Sequence, residues 1–261
     1  MIGCRQSMSA LVGARIHPAI ERRFYTGMAL MVLASVFLGF SRTYFLKPWF
    51  PELASLAPPE PFFFYVHGVC FTAWILLLVV QPVLVARRRV DLHRRIGWFG
   101  AVLAALVVIV GAMGAMLAAR RPGGFIGVPI PPQQFLIYPI TDLALFGVFV
   151  VLAIVWRRDT QRHKRLMLLA AIGLLDAAVI RWPLGDMTAG LGESPWTRTD
   201  ICVDLFLVPM IIWDLMSRRR VHPVTLIGGL AVIASQPLRV MVSETSIWMN
   251  FAGWAIRLVG R

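Results

Sequence analysis

Cysteine is scarce in this chain, and the cysteines present form no recognisable pattern. Cys4, Cys70 and Cys202 are the only three among 261 residues. Neither their number nor their spacing matches a disulfide framework or a zinc site. The sequence also contains no HExxH motif, no Gly-x-Ser-x-Gly motif and no paired-aspartate diphosphate motif. These absences predict no metal site and remove several common enzyme classes, but they leave open whether the chain is an enzyme.

Acidic residues are also few, and charged residues of either sign are limited. The chain has 13 Asp and Glu against 26 Lys and Arg, a formal net charge of +13. No basic stretch is interleaved with stacking aromatic residues in a soluble segment, so we expect no nucleic-acid partner. Only 15% of the residues are charged and 58% are hydrophobic, whereas the apolar share of soluble domains is nearer half. The composition therefore predicts an integral membrane protein whose main partner is the lipid bilayer.

Seven apolar runs follow a short basic tail. Each has the ~20 residues needed to cross ~30 Å of hydrocarbon, or only a few fewer. The first run is longer than a signal-peptide core and no clear cleavage site follows it, so we interpret it as an uncleaved span. The predicted spans cover residues 24–46, 61–86, 97–119, 135–156, 165–182, 200–216 and 224–242.

The last stretch of the chain is too short to cross the membrane again. Residues 246–259 carry Trp248 and Trp254, which favours a helix lying on the outer surface. We therefore predict an all-α fold, a polytopic transmembrane helix bundle of about seven spans. Residues 1–23 would form a cytoplasmic basic tail, residues 24–242 the bundle, and residues 243–261 an outer-surface interfacial helix.

Basic residues are distributed unevenly between the two sets of loops. Seventeen of the 26 lie in the N-terminal tail and in alternate loops at residues 87–95, 157–165 and 218–220. The connecting loops of the other set hold only Lys47, Arg120, Arg121 and Arg198. Because Lys and Arg gather in cytoplasmic loops, we predict that the N-terminus is inside and the C-terminus outside. The chain would be a multi-pass protein of the cell inner membrane.

Two of the basic loops share a pattern. Residues 87–95 and 157–165 both read R-R-x4-H-[RK]-R, 70 residues apart and each between two spans. Two stacked helical hairpins would produce this repeat. The need for positive charge in inner loops would produce it equally well, so both explanations stay open.

Charged and polar side chains recur inside the predicted spans, mostly in their outer halves. Because a helix rises ~1.5 Å per residue, Asp176 lies ~16 Å beyond Arg165, close to the bilayer midplane. Unpaired charges in lipid are costly, so such side chains should face the bundle interior and find partners there. We predict one polar pocket that opens outward. Its candidate residues are Arg42, His67, Asp142, Asp176, Arg181, Asp204, Gln236 and Arg239.

Ion pairs that only lock the helices together would explain the same charges. Asp214 lies four residues before Arg218, and we expect an i,i+4 pair there. Asp176 is too deep to reach the headgroups, so its carboxyl is either paired with a cation from another helix or protonated. His67 is either a proton carrier or ligand, or a histidine hydrogen-bonded within a helix interface.

Four classes of function fit these features. A di-haem membrane cytochrome needs two histidines that face each other at one depth, but His67 is alone in the outer half, and His93, His163 and His222 are expected in cytoplasmic loops. A transporter or proton-coupled carrier would use Asp176 as its coupling site. A membrane enzyme would act on a lipid or isoprenoid-like substrate, and a sensory, assembly or scaffold protein would use the charges to set helix pairing. We favour small-molecule or proton handling, with a small molecule or a lipid as the ligand and haem as the alternative cofactor.

Three phrases resemble a bacterial membrane-protein family. They are YVHGVCFTAWILLLVVQ, VDLHRRIGWFGAVLAALVVIVG and RHKRLMLLAAIGLLDAAVIRWP. The chain is similar over residues 24–240 to a multi-span inner-membrane family with a domain of unknown function. Its pattern has a histidine and a later glutamine in one span, an H-R-x-x-G loop and an H-[RK]-x-x-M helix start, here at His67, Gln81, His93 to Gly97 and His163 to Met167. The resemblance implies an inner-membrane bundle and no particular activity.

Overall fold

The computed structural model describes residues 17–50, 62–121, 124–125, 128, 130–182 and 195–259. Within these ranges every regular element is helical, and no strand occurs. The predicted all-α fold class is therefore confirmed for the described part of the chain. Its α-helices are α1 (Pro18–Phe40), α2 (Phe62–Ala86), α3 (Val90–Ala119), α4 (Pro132–Phe135), α5 (Ile137–Val155), α6 (Thr160–Ile172), α7 (Asp176–Val179), α8 (Pro195–Asp204), α9 (Leu207–Arg218), α10 (Pro223–Ser243) and α11 (Ser246–Leu258).

Helix starts coincide with side chains that satisfy free backbone N–H groups. At the start of α6, the Asp159 carboxylate accepts hydrogen bonds from the backbone N–H groups of Gln161 and Arg162, at 3.0 and 3.2 Å. At the start of α11, the Thr245 hydroxyl accepts one from Trp248 N–H at 3.3 Å. Asp and Thr are favoured at such N-cap positions because their oxygens replace the missing intrahelical acceptors. These short polar residues therefore set where α6 and α11 begin.

Within the described ranges, five helical segments are long and apolar enough to cross a membrane. They have 21 to 30 residues each and are Pro18–Phe45, Phe62–Ala86, Val90–Ala119, Pro132–Val155 and Pro223–Ser243. The first of them combines α1 with a π-helical turn at Ser41–Phe45. Large apolar side chains cover their outer surface; Trp98, Val102 and Ile109 of α3, for example, are each more than half exposed. An exposed apolar surface of this extent marks contact with a membrane or another protein.

The tail boundary lies earlier in the chain than the sequence predicted. α1 begins at Pro18 rather than near residue 24, so Arg22 and Arg23 lie on the helix and not in a tail. The histidine before Pro18 caps the helix by accepting a hydrogen bond from Ala19 N–H at 3.2 Å. Residues 1–16, which hold the rest of the predicted tail, lie outside the described residues.

The predicted fifth span is broken where an uninterrupted helix was expected. α6 ends at Ile172, and the N–H groups of Leu174 and Leu175 bond to carbonyls three residues back, at 3.2 and 3.0 Å. The four-residue helix α7 then begins at Asp176. The break falls at Gly173, a residue type with low helix propensity. Asp176, whose carboxyl was predicted to lie near the midplane, is therefore the first residue after a helix break.

The predicted sixth span is also divided. α8 ends at Asp204 and α9 begins at Leu207, and Phe206 N–H bonds to a carbonyl three residues back at 3.0 Å. Pro209 gives the physical reason, because it has no N–H for the carbonyl of Leu205 and its ring would clash with that carbonyl in a continuous helix. Both divided spans thus have a carboxylate residue next to the break.

The core is formed by contacts between neighbouring helices. α2 packs between α1 and α3, α5 packs between α3 and α6, and α10 packs on α6. Trp74 of α2 and Phe146 of α5 meet edge to face with ring centroids 4.9 Å apart. Leu169 of α6 is completely buried among these helices. The broken helix α6–α7 therefore lies inside the bundle.

Loops predicted to share a side of the membrane meet in the structure. The end of the bundle that carries residues 87–89, 157–159 and 218–222 is called the basic end. There Glu21 of α1 accepts a hydrogen bond from the amide Nε2 of Gln161 at 3.1 Å. At the opposite end, Arg120 Nη1 donates to the carbonyl of Val259 at 3.1 Å. These contacts join residues that the predicted topology places on one side.

α11 covers part of the opposite end. Its Ala252 and Ala255 are buried, whereas Ile247 is 83% exposed and Trp254 is 52% exposed. Trp248 Nε1 donates to the carbonyl of Gln133 in α4 at 2.9 Å. A helix therefore occupies the segment where the sequence predicts one, with a small-residue face inward and a large apolar face outward.

One glycine of α1 allows the close approach of α7, and its replacement tests that packing. A Cβ atom at Gly39 would lie within 2.8 Å of the Cα and carbonyl carbon of Ala178, and backbone atoms cannot rotate away. Gly39→Ala should therefore lower the free energy of unfolding by about 1–3 kcal/mol. The measurement is SDS-induced unfolding of the protein in detergent micelles, followed by circular dichroism.

Gly27→Ala is the matched control on the same helix. Nothing lies within 4 Å of a Cβ at Gly27, so this change should be neutral or should stabilise α1 by up to about 1 kcal/mol. Equal destabilisation by the two changes would contradict the proposed contact between α1 and α7.

Candidate functional site

Three carboxylates from three helices converge on the guanidinium of Arg239. Arg239 Nη1 lies 2.9 Å from Asp142 Oδ1 of α5, and Nη2 lies 2.7 Å from Asp176 Oδ2 of α7 and 2.5 Å from Asp200 Oδ1 of α8. The Arg239 side chain is only 2% exposed, and the three aspartates are 13–21% exposed. We call Arg239 and these three aspartates the Arg239 cluster.

Local structure explains how each side chain reaches the cluster. Asp176 stands at the helix break, so it is not held to the direction of α6. Gln236 and Arg239 lie three residues apart on α10 and therefore on the same face. The amide Nε2 of Gln236 donates to Asp204 Oδ1 of α8 at 2.9 Å, next to the Asp200 ion pair. The ring of Tyr138 lies 4.8 Å from the guanidinium carbon of Arg239, a cation–π distance.

A small cleft lies beside the Arg239 cluster. It has room for about one water molecule. Asp142, Asp176, Ser235, Gln236 and Arg239 form its polar walls. Leu145, Val203, Val232 and the backbone at Gly173 form the remaining walls. The cleft therefore has a polar side that includes two carboxylates and an apolar side.

The Arg239 cluster is not charge-balanced. With every group ionised, the one guanidinium and three carboxylates would carry two net negative charges, and Asp204 would add a third nearby. Buried charges are costly unless they are paired, so this arrangement favours uptake of protons or of a cation. Arg239 Nε is a second unsatisfied group, because this buried donor has no hydrogen-bond acceptor among the described residues.

The carboxylates are not arranged as a metal site. Among the described residues there is no group of three or more His, Cys, Asp or Glu side chains that could hold a metal ion. Arg239 explains this, since its guanidinium occupies the point on which the three carboxylates converge.

Five of the eight predicted pocket residues come together. Asp142, Asp176 and Arg239 form ion pairs, and Gln236 and Asp204 form the hydrogen bond beside them. The prediction that opposite charges from separate helices converge therefore holds for these residues.

The other three predicted residues lie elsewhere. Arg42 is exposed in the π-helical turn, with its guanidinium 5.5 Å from the Phe50 ring. Arg181 is exposed; it donates to the carbonyl of Ala177 and lies 5.0 Å from the Phe40 ring, and it forms no ion pair within the described ranges. Exposure at the helix end lets both arginines reach solvent or headgroups, so neither needs a buried partner.

His67 packs away from the cluster, on the face of α2 that meets α3. Its ring stacks on Phe71 with centroids 4.3 Å apart. A Cβ atom at Gly114 of α3 would lie 3.0 Å from His67 Nδ1, so the glycine makes room for the imidazole. The imidazole therefore packs within the α2–α3 interface, and its buried Nδ1 has no hydrogen-bond partner among the described residues.

Asp200 was not among the predicted pocket residues, although it forms an ion pair with Arg239. Its spacing was the available signal, because Asp200 and Asp204 lie four residues apart and therefore on one helix face. In the structure one of these aspartates binds a cation of α10 and the other binds an amide of the same helix.

A second buried ion pair lies at the basic end. Arg165 of α6 and Asp214 of α9 are 1% and 0% exposed, and both Nε and Nη2 of Arg165 donate to Asp214 Oδ1. Arg165 Nη1 also donates to Gln161 Oε1 at 2.7 Å, and Asp214 Oδ2 accepts from His222 N–H at 3.0 Å. Asp214 thus pairs with an arginine of another helix, and the expected pair with Arg218 is replaced by this buried one.

The histidines of the two loop motifs also meet at the basic end. The rings of His93 and His163 are perpendicular, with centroids 6.4 Å apart. His163 Nδ1 is 2.8 Å from the carbonyl of Ala153. With its amide oriented to suit its neighbours, Gln81 donates to His93 and accepts from Gly97 N–H at 3.2 Å. The glutamine and histidine positions of the resemblance therefore tie α2 to the start of α3.

No protein-family model, curated protein or solved structure matches this chain. The family resemblance drawn from the sequence motifs stays a prediction.

The buried pair of Arg165 and Asp214 makes a stability prediction. Arg165→Met leaves a buried carboxylate without its cation, which should lower the free energy of unfolding by about 3–5 kcal/mol. The double variant Arg165→Met/Asp214→Leu removes both charges and should recover most of that loss. Unfolding in detergent measures both, and a double variant as unstable as the single one would contradict a charge-pairing role.

His222, in the loop before α10, should make stability depend on pH. Burial, together with the charges of Arg165 and Arg218, lowers the pKa of His222 to about 4 against the opposing effect of Asp214 and Asp159. The unfolded chain takes up a proton near pH ~6.5 and the folded protein does not, so stability should be constant above about pH 6.5 and fall towards pH 4.

His222→Asn tests this dependence. The His222 ring accepts a hydrogen bond from Val224 N–H at 3.1 Å, and asparagine can also act as an N-cap. The variant should therefore fold normally and lose part of the fall in thermal stability between about pH 6.5 and 4. The same change at His17, an exposed N-cap histidine, is the control, and an unchanged pH profile for His222→Asn would contradict the assignment.

Proposed function

We propose that this chain is a multi-pass inner-membrane protein that handles protons at the Arg239 cluster and couples them to a small ligand. The observation that carries this proposal is the convergence of three aspartates from different helices on one arginine. A purely structural ion pair would need one carboxylate per cation. The surplus carboxylates are groups that can bind and release protons.

The membrane setting rests on the five long apolar helices and on the distribution of basic residues. In the proposed topology the two broken spans, α6–α7 and α8–α9, also cross, which gives seven crossings. The basic end faces the cytoplasm under the positive-inside rule. The N-terminus is then inside, the C-terminus outside, and α11 lies at the outer surface with its apolar face in lipid.

In this orientation the Arg239 cluster lies in the outer half of the bundle, on the far side of the core from the Arg165–Asp214 pair. Between them α6 and α10 contact through apolar residues; Leu169 is completely buried and Val232 is 3% exposed. Protons at the cluster would therefore exchange with the outer side in this conformation. Exchange with the cytoplasm would require the helices to move.

The helix breaks support a transport role over a scaffold role. Discontinuous membrane helices are typical of transporters, where the breaks place substrate and coupling-ion sites near the midplane. Here the breaks at Gly173 and Leu205 lie next to Asp176 and Asp204. A scaffold that only fixes helix pairing has no need of broken helices around a surplus of carboxylates.

The proposal predicts a titrating carboxylic acid in the folded protein. Protein reconstituted in nanodiscs should show a carboxylic C=O stretching band that appears as the pH falls, measured by infrared difference spectroscopy. Asp176→Asn should remove part of this band and reproduce the phenotype of a gene deletion while expression stays normal. The reason is that the amide keeps the shape of Asp176 but cannot bind a proton.

Asp91→Asn is the matched control for that experiment. Asp91 is an exposed aspartate at the basic end, 4.0 Å from Arg89. Its replacement should leave the infrared band and the phenotype unchanged. Full activity of Asp176→Asn, or the absence of any titrating band in the wild type, would favour the scaffold alternative. An absorption spectrum of the same purified sample tests the haem alternative, which predicts a Soret band.

A further inference from the structure

We infer that the exposed seam between α3 and α5 binds one anionic phospholipid at the basic end. The lipid phosphate lies between Arg94 and Arg157, and an acyl chain lies against the apolar side chains that follow towards the middle of the bundle. This inference rests on the membrane setting proposed above and not on proton handling at the Arg239 cluster. Three features carry it: unpaired arginines, an exposed tryptophan beside them and an apolar face of suitable length.

α3 and α5 are packed neighbours along this seam. A Cβ atom at Gly147 of α5 would lie 3.6 Å from Val108 Cγ2 of α3. Nearer the basic end, the guanidinium carbon of Arg157 lies 5.6 Å from the centre of the Trp98 ring, which is a cation–π distance. Arg94 lies four residues before Trp98, on the same face of α3. Arginines from two neighbouring segments therefore flank one exposed tryptophan.

The arginines at the seam lack acidic partners. Arg94, Arg157 and Arg158 are exposed and form no ion pair among the described residues. Arg157 Nη1 donates to a backbone carbonyl at 3.3 Å, but a guanidinium has five N–H donors in all. Asp159, the nearest acidic residue in the sequence, pairs with Arg162 at 3.0 Å instead. The charge and the remaining donors of Arg157 can therefore bind a phosphate group.

Charge decides which headgroup fits this seam. A phosphatidylcholine headgroup combines its phosphate with a cationic choline, which the neighbouring arginines repel. A phosphatidylglycerol headgroup has the phosphate without a cation. Basic clusters between membrane helices on the cytoplasmic side are suited to anionic headgroups for the same reason. The seam therefore favours an anionic phospholipid over a zwitterionic one.

An apolar face continues from the arginines along both helices. Trp98, Val102 and Ile109 of α3 and Val151 and Val155 of α5 are each more than half exposed. Trp98 and Ile109 are eleven residues apart, or ~16 Å along the helix, and half of the hydrocarbon core is ~15 Å. Tryptophan favours the headgroup level of a membrane. The face therefore matches one acyl chain of the cytoplasmic leaflet, with Trp98 beside the headgroup.

A second contact between an arginine and a tryptophan at the basic end lacks these properties. The guanidinium carbon of Arg162 lies 5.2 Å from the Trp156 ring. However, the charge of Arg162 is paired with Asp159, and Trp156 is half-buried. Of the two contacts, the one at Trp98 alone combines an unpaired arginine with an exposed tryptophan.

Native mass spectrometry of the full-length protein in detergent tests the inference. The protein should bind one molecule of phosphatidylglycerol at least tenfold more tightly than phosphatidylcholine with the same acyl chains. Glycerol 3-phosphate, which has the phosphate but no acyl chain, should not displace the lipid measurably. Equal affinity for the two lipids, or displacement by glycerol 3-phosphate, would overturn the inference. A protein dimer that forms in place of the lipid complex would also overturn it, because a second copy would then cover the seam.

Two pairs of variants locate the site. Arg157→Gln should weaken phosphatidylglycerol binding about tenfold, as expected for loss of one charge-assisted hydrogen bond. Arg23→Gln removes an exposed arginine from α1, which packs on α2 and α6, and should change the affinity less than twofold. Trp98→Ala should also weaken binding several-fold. Phe99→Ala should not, because Phe99 is an exposed aromatic residue that points about 100° away around α3.

All four replaced side chains are exposed, so each variant should fold, and thermal unfolding checks this. Equal effects within each pair would show that the lipid responds to net charge or to general apolarity, and they would refute a site at the seam. The infrared titration of the Arg239 cluster is independent of these measurements, so either proposal can fail while the other stands.

Discussion

The pairing of one arginine with three aspartates is the constraint on which the opposite end of the bundle depends. A guanidinium removed from water needs carboxylates in good geometry, because the desolvation penalty of an ion pair can exceed its Coulomb attraction. Arg239 meets this need by drawing α5, α7 and α8 to one point of α10. The same four helices also contribute to the apolar core, through Phe146, Val179, Val203 and Val232. Charge pairing and apolar packing together therefore fix their mutual arrangement.

The helix breaks are the backbone counterpart of this constraint. A continuous helix through residues 165–182 would fix the direction of Asp176 by the helical period. The break after Ile172 frees it, and the contact of α7 with Gly39 of α1 then holds the short helix in place. α8 is separated from α9 in the same way by the bend before Pro209. Two soft points in the backbone thus lie next to the buried charges.

Much of the fold could be predicted from the sequence, because membrane spans are read from a single property. Hydropathy and length located the five long helices, and the positions of basic residues grouped the loops as they meet at the basic end. The breaks were missed because the apolar runs continue through them. Pro209 was a usable signal for one break, whereas Gly173 stands among residues that favour a helix.

The members of the site were predictable in depth but not in direction. Position along a helix gives one coordinate, and the side to which a residue points depends on neighbours far away in the chain. Asp142, Asp176 and Arg239 meet inside the bundle, whereas Arg181, which was predicted in the same outer half, is exposed. Asp214 shows the same limit, because its partner at i+4 was visible in sequence and its true partner, Arg165, was 49 residues away.

α10 takes part in both charged clusters, and this has a mechanical consequence. Its first turn is capped by His222, which is bonded to Asp214 at one end, and its last turns present Arg239 at the other. In its first third the helix lies close to α6, where a Cβ at Gly228 would meet the side chain of Leu169. A displacement of α10 would therefore act on both charged clusters at once, because this single helix carries Arg239 and begins at the residue bonded to Asp214.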